Sequence, residues 1–282
     1  MNKVKRKKIM RSQIALQIAV FILCALVVYP FLTLIIKSFK DYEQEVYSPI
    51  TFTFPLHFEN YEIAWLYVKN SIFNSFFVSI SISVMCVLLS AMGGYAFSRF
   101  SFKGKEIVYS LTVALMMMPS ILILTSKYVL VSVTFKMYDS FLGVIVPQAA
   151  GLVPFGIMLL RGYFDSLPKG LLEAAEIDGA NSAVQFIKIT VPLSVPMVMT
   201  LFLMNFMTSW NDYLWPLMIL HDEAKFTISV NLQSFTDYFY KMNQYYAPAL
   251  AGYVIVSLPI LVLFGFTSKQ FIQGMTAGAF KM

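Results

Sequence analysis

The stretch Pro168-Lys169-Gly170-Leu171-Leu172-Glu173-Ala174-Ala175-Glu176-Ile177-Asp178-Gly179-Ala180-Asn181-Ser182-Ala183-Val184-Gln185, running on to Pro192, decides how the rest of the chain is read. It is a polar island between two apolar runs, 141–160 before it and 195–220 after it. Pro168 suits the first turn of a helix, where its missing N–H would have no partner. Leu171 to Ile177 are good helix formers, with no β-branched residue before Ile177. Gly179 permits the bend that ends a helix. Ser182 followed by Gln185 has the spacing of a capping box and predicts a second helix start. Pro192 and Pro196 limit how far that helix can run. The expectation is a helix–bend–helix held between two membrane spans, a knob that fits a partner's groove.

Outward from the island the chain is apolar. Of 282 residues, 58% are hydrophobic and 13% charged. A globular domain carries about 25% charged residues. Together with a mean hydropathy of +0.70 this points to an integral membrane protein. A membrane-spanning helix needs about 20 apolar residues. Six runs qualify: 14–36, 72–97, 107–129, 141–160, 195–220 and 247–267. The predicted fold is all-α, a polytopic membrane protein with six transmembrane helices.

Residues 1–13 carry Lys3, Lys5, Arg6, Lys7, Lys8 and Arg11 just before the first run. A signal peptide has an apolar core of about 7–15 residues and a small-residue cleavage site, and neither fits here. Beside a span, the basic cluster is a topogenic signal rather than a nucleic-acid site. With both termini in the cytoplasm, the cytoplasmic Lys and Arg number six at the N-terminus, three after the second span, three around the island and two in the tail, against seven outside. That bias obeys the positive-inside rule. Residues 37–69 form an extracytoplasmic loop in which Pro49 and Pro55 rule out one continuous helix, and 60–69 can form a surface helix leading into the second span.

Inside the spans, Ser75, Ser79, Ser83 and Ser90 share one helix face, which suits close helix packing more than a polar pathway. Pro119 interrupts the third run after Met116-Met117-Met118, a flexible packing run rather than a metal site. Asp212, within Trp210-Asn211-Asp212-Tyr213, is the acid that cannot be moved out of a predicted span. A charge in lipid costs roughly 2.5–3.5 kcal/mol on insertion scales, so it must face protein or water. Two readings stand for this segment: a border of a translocation cavity, or a buried helix-breaking cap. The loop 221–246 is rich in Tyr and Phe, which suit bilayer anchoring.

The spacing Glu173-Ala174-Ala175, three residues, Gly179, nine residues, Ile189, one residue, Val191-Pro192 resembles the EAA loop of permease subunits in ABC importers, with Val191 where the loop usually has Leu. Phe54-Pro55 with Phe58-Glu59-Asn60-Tyr61, and Tyr95-Ala96-Phe97-Ser98-Arg99-Phe100, resemble segments of sugar-importer permeases. Trp210-Asn211-Asp212-Tyr213-Leu214-Trp215-Pro216-Leu217 is similar to a carbohydrate-importer signature. The tail from Lys269 onward resembles that of maltose-type (MalG) permeases.

This resemblance implies the type I ABC importer permease fold. It implies a transmembrane domain over 70–268, with a coupling loop at 162–194 and a cytoplasmic tail at 269–282. The partners implied are a second permease subunit (a heterodimer), a cytoplasmic ATPase dimer and an extracytoplasmic solute-binding protein. Glu173, Ala174, Ala175, Asp178, Gly179, Phe186, Ile189 and Pro192 would couple to the ATPase. Glu173 would meet a basic residue there, Ala174 and Ala175 would allow close approach, and Gly179 would hold the bend. Trp210, Asn211, Asp212 and Tyr213 would border the pathway, with Trp210 or Tyr213 stacking on a sugar. Gly274, Thr276 and Gly278 of the tail would touch the ATPase.

The chain carries no Gly-x-x-x-x-Gly-Lys-Ser/Thr phosphate loop, no Ser-His-Asp set and no zinc pattern, and its two His residues, His57 and His221, fall in loops. ATP and Mg are therefore expected in a partner, with no catalytic residue, cofactor or metal in this chain. The expected cargo is a sugar or oligosaccharide moved across the cytoplasmic membrane of a prokaryote. Glycerol-phosphate or polyol import by the same machinery, or a stand-alone secondary transporter, are the alternatives.

Overall fold

The computed structural model describes residues 3–243 and 245–279, with side chains described outside 3–12, 15, 169, 242–243 and 270–279. The elements in order are α1 (Lys3–Ser38), α2 (Tyr42–Tyr47), α3 (Glu59–Arg99), α4 (Lys105–Ala114), α5 (Leu124–Val129), α6 (Phe141–Phe164), α7 (Lys169–Ile177), α8 (Ser182–Gln185), α9 (Val191–Leu193), α10 (Val195–Trp210), α11 (Leu214–Ile219), α12 (Ile228–Asn243) and α13 (Ala247–Ala279). Every element among the described residues is helical, as expected.

Four of the six predicted spans are single helices long and apolar enough to cross a bilayer: Leu16–Ser38, Glu59–Arg99, Phe141–Asp165 and Ala247–Lys269. The other two are divided. The fifth, predicted over 195–220, is α10, a gap at 211–213 and α11, and α10 meets the helical stretch Ser182–Leu193 before it at 76°. The third is α4, a 3-10 turn at Leu115–Met117 and then α5, with Pro119 in the gap. Proline removes a backbone donor and clashes with the preceding turn, so the helix stops before it. Such breaks are tolerated in a membrane where neighbouring helices or water re-satisfy the freed groups.

The loop predicted over 37–69 ends sooner than expected. After Pro55 no breaker stands between Glu59 and Ile72, so the surface helix and the second span merge into the 41 residues of α3. At 1.5 Å per residue that is about 60 Å, well beyond a hydrocarbon core. In the same way α13 runs through the predicted boundary at 269 into the tail.

The chain forms two compact units, Met1–Tyr67 with Ser234–Ser257, and Val68–Gln233 with Leu258–Met282. In the first, the most apolar window of α1 is left unburied by the chain, as suits a lipid- or partner-facing helix. A polar clasp follows it. Asn60 Nδ2 donates to the carbonyls of Ser38 (3.0 Å) and Lys40 (2.9 Å). The buried Lys40 ammonium donates to the carbonyls of Thr51 (2.7 Å) and Ser48. Tyr245 Oη donates to Asn60 Oδ1 (3.0 Å) and to the Lys40 carbonyl. Burial pushes that phenol up to about 12. His57 sits between Asp41 (3.2 Å) and Glu59 (2.7 Å) and belongs to the same loop.

In the second unit α3 and α6 pack at close range. Ser75, Ser79, Ser83 and Ser90 are all buried, in agreement with the packing reading. A Cβ added at Gly156 would stand 2.1 Å from Ser90 Oγ, so only glycine allows this approach. Cys86 is buried there, whereas Cys24 lies exposed on α1 rather than in a core. One core gathers Val78, Ile82, Val144, Trp215 and Ile219, and a second gathers Ala91, Tyr95, Leu160, Phe164 and Leu201.

Candidate functional site

The island folds as two short helices around a bend. Pro168 stands at the N-cap of α7. At the other end of α7, Gly179 has φ +82°. The Ala180 N–H reaches back to Ala175 O (2.9 Å) and the Gly179 N–H to Glu176 O (3.0 Å). These two bonds are a Schellman motif, which satisfies the helix's last carbonyls and favours glycine at its left-handed position. The second helix is capped one residue earlier than expected. Asn181, not Ser182, is the N-cap, accepting from the Val184 N–H (2.9 Å). The Gln185 side chain donates to Ala180 O instead (3.0 Å). A π-helical turn, Phe186–Thr190, and α9 then lead to α10.

The island is seated on the end of α3. Tyr95 Oη donates to Ser182 O (3.2 Å), and the Phe186 ring lies 4.9 Å from the Tyr95 ring. Leu172 is buried. What remains outside is a mixed surface. Glu173, Ala174, Asp178, Gly179 and Pro192 are exposed, Ala175 and Ile189 are half-buried, and Ile177 is 87% exposed. Phe186 alone of the expected coupling residues points to the chain's own core, where it holds the knob in place.

Around the island's base, charges tie three helix ends together. Arg161 forms a two-pronged contact with Glu106 (2.7 and 3.2 Å) and lies over the Tyr109 ring. Ser98 Oγ donates to Asp165 Oδ1 (2.6 Å), and Arg99 donates to Phe164 O (3.1 Å).

At the other candidate segment, the helix stops after Trp210 and resumes at Leu214. Trp210 is 2% exposed, packed on Phe76 and Phe206, so it has no free face for a sugar. Tyr213 is 40% exposed and Asn211 is exposed, its amide donating to Met207 O (2.7 Å). Asp212 accepts from Gln148 Nε2 of α6 (2.9 Å) and lies 3.5 Å from the Trp215 backbone N. It is thus a half-buried polar group at the break between two helices, in line with the cap reading. Lys127 of α5 lies over the Trp215 ring at 3.9 Å.

Beyond α11 a corner closes on Asp139, which takes a left-handed backbone (φ +52°). Its carboxylate accepts from the N–H groups of His221 (2.9 Å) and Asp222 (3.1 Å) and from Lys225 Nζ (2.6 Å). Lys225 first, then the two N–H groups, hold that carboxyl far below its usual range, and Asp139 raises Lys225 in turn. Asn74 Nδ2 donates to the carbonyls of Ala224 (2.8 Å) and Phe226 (3.0 Å). No local motif announces this corner, since its partners stand more than 80 residues apart. In the tail, Gly274, Thr276 and Gly278 continue the backbone of α13, and their side-chain surroundings lie outside the described residues.

A multi-pass helical membrane protein with broken spans and an exposed helix–bend–helix between two of them is the architecture of a transporter permease. The chain belongs to the family described as "binding-protein-dependent transport system inner membrane component", which matches residues 87–273. The arabinooligosaccharides transport system permease protein AraQ of Halalkalibacterium halodurans is 31% identical over 90% of this chain and 91% of its own. The maltodextrin transport system permease protein MdxG of Bacillus subtilis is 34% identical over 74% of each. A solved bacterial ABC transporter involved in the import of the acidic polysaccharide alginate shares the fold, with a TM-score of 0.76 at 22% identity over 96% of this chain and 99% of that one. The chain is therefore a membrane-embedded permease of the ABC importer type, with the corresponding fold.

Proposed function

We propose that this permease imports an oligosaccharide across the cytoplasmic membrane, with both termini in the cytoplasm and the island facing an ATPase. The observation that carries the coupling role is the surface of the island: a fixed bend at Gly179, exposed acids at Glu173 and Asp178, and an apolar Ile177 left outside. A groove with basic residues at its rim fits that surface. The substrate class follows the relatives, which are named for arabinooligosaccharide and maltodextrin transport.

In this reading residues 70–268 are the transmembrane domain and 162–194 the coupling loop. A second permease subunit, an ATPase dimer and an extracytoplasmic solute-binding protein complete the importer. ATP and Mg bind in the ATPase, and this chain supplies no catalytic residue. Closure of the ATPases grips the island, and because Phe186 and Tyr95 seat it on α3, a shift of the knob moves α3 and α10 together. The differential grip on the two states drives the change of access. Asn211, Asp212 and Tyr213 border the pathway, Trp210 braces it from behind, and Gly274, Thr276 and Gly278 meet the ATPase. Uptake of radiolabelled maltotriose and arabinotriose, by cells with and without the chain, tests the substrate class. Loss of uptake of either sugar on deletion, restored by the gene, is expected; unchanged uptake of both rejects it.

A further inference from the structure

Asp212 has a counterpart in the chain. Lys127 stands on α5, the segment that resumes the third span after Pro119, and Asp212 stands in the gap of the fifth. Both address Trp215: the ammonium lies on its ring face at 3.9 Å, and the carboxylate lies 3.5 Å from its backbone N. The indole itself is fixed, buried and donating Nε1–H to Gly143 O (3.2 Å). Gln148 of α6 completes the group through its bond to Asp212. Among the described residues neither charge forms an ion pair with another side chain, and Trp215 is the contact the two share. Ionisable groups inside a membrane are paired with one another or face water, because an uncompensated charge is costly there.

We propose that Lys127 is the counter-charge and positioning residue of Asp212, and that the pair joins the two broken spans into one polar joint around Trp215. The proposal rests on the reading of the Asn211–Tyr213 break as part of the transport pathway. Lys127 acts through Asp212 and need not touch the solute. Removing Lys127 leaves a lone carboxylate at the break, and removing Asp212 leaves a lone ammonium on the indole. Removing both leaves neither charge uncompensated.

The test is a double-mutant cycle in the complete importer in cells, read as initial uptake of maltotriose or arabinotriose, whichever the wild type imports, at measured membrane levels. Lys127→Met is expected to lower uptake about tenfold in the wild-type background and to cost nothing further once Asp212→Asn is present, because coupled residues are not additive. Lys127→Arg is expected to keep uptake near wild type. An equal loss from Lys127→Met in both backgrounds, or no loss in either, overturns the proposal. Where a single variant fails to reach the membrane, the same cycle is read on the unfolding temperature of the purified chain in detergent: recovery in the double variant supports the pair, and additive losses reject it. Glu173→Lys, run in parallel, separates the two claims. Normal uptake by that variant rejects the coupling reading and leaves the cycle on Lys127 intact.

Discussion

The Asp139 corner and the Glu173 island are both loops at the ends of spans, and they are built in opposite ways. At the corner, one carboxylate accepts from two backbone N–H groups and one ammonium, and Asn74 closes the neighbouring carbonyls. The corner is complete within the chain. On the island, the backbone is equally well finished by the Schellman bonds and the Asn181 cap, yet its side chains are not. The carboxylates of Glu173, Glu176 and Asp178 are exposed without a hydrogen bond or ion pair among the described residues, beside the bare Ile177. A rigid backbone carrying unspent side chains is a surface made for a partner. The corner should therefore fail through stability, and the island through transport.

The strongest way to break that contrast is Gly179→Pro. Proline locks φ near −65° and removes an N–H, whereas Gly179 needs φ +82° and donates to Glu176. Uptake is expected to fall to background with the chain still in the membrane, as measured by sugar uptake beside membrane immunoblots. Next, Gly156→Val forces a Cβ onto Ser90, and overpacking of this kind costs about 1–3 kcal/mol. Here the membrane level itself is expected to drop, with transport per molecule little changed.

Asp139→Asn should lower the unfolding temperature of the detergent-purified chain while leaving capture of a partner ATPase intact. Its pH dependence sharpens the point. The folded carboxyl lies below its unfolded value, which is about 3.9 for a free Asp. The clamp's contribution is thus fully present above that value and is lost only as pH falls through the folded one. The gap between wild type and Asp139→Asn should stay constant from neutral pH down to about 4 and shrink only below it. A gap that closes near pH 6 contradicts the assigned clamp. The smallest effect on the chain itself is expected for Ile177→Ser: no change in unfolding temperature, because the side chain touches little, but weaker retention of the ATPase during purification.

Much of this was legible where the signal is local. The bend at Gly179 follows from one residue type in one place, and the single-helix spans follow from run length. The serine face was legible as packing because its spacing alone puts the four hydroxyls on one side. The misplaced cap is instructive: Asn181 and Ser182 are both good N-caps, and the Gln three residues after Ser182 favoured the wrong one. The start of α3 at Glu59 was hidden because polar residues that suit a surface helix also suit the overhang of a long one. Pro119 marked the break in the third span but not its extent, since turns there are set by packing. Trp210 looked like a sugar platform and is a core residue, a difference that only the positions of Phe76 and Phe206 decide. The pairing of Asp212 with Gln148 and the approach of Lys127 join distant segments, and no window of sequence contains them.

The most direct test of the island as a coupling surface is an affinity pull-down of the tagged chain from its native membranes in mild detergent, with co-purifying proteins identified by mass spectrometry. Recovery of a second permease and a Walker-motif ATPase is predicted with the wild type, with the ATPase, but not the second permease, lost from Glu173→Lys. Recovery of the chain alone after gentle cross-linking, or an ATPase retained at full yield by Glu173→Lys, would contradict it.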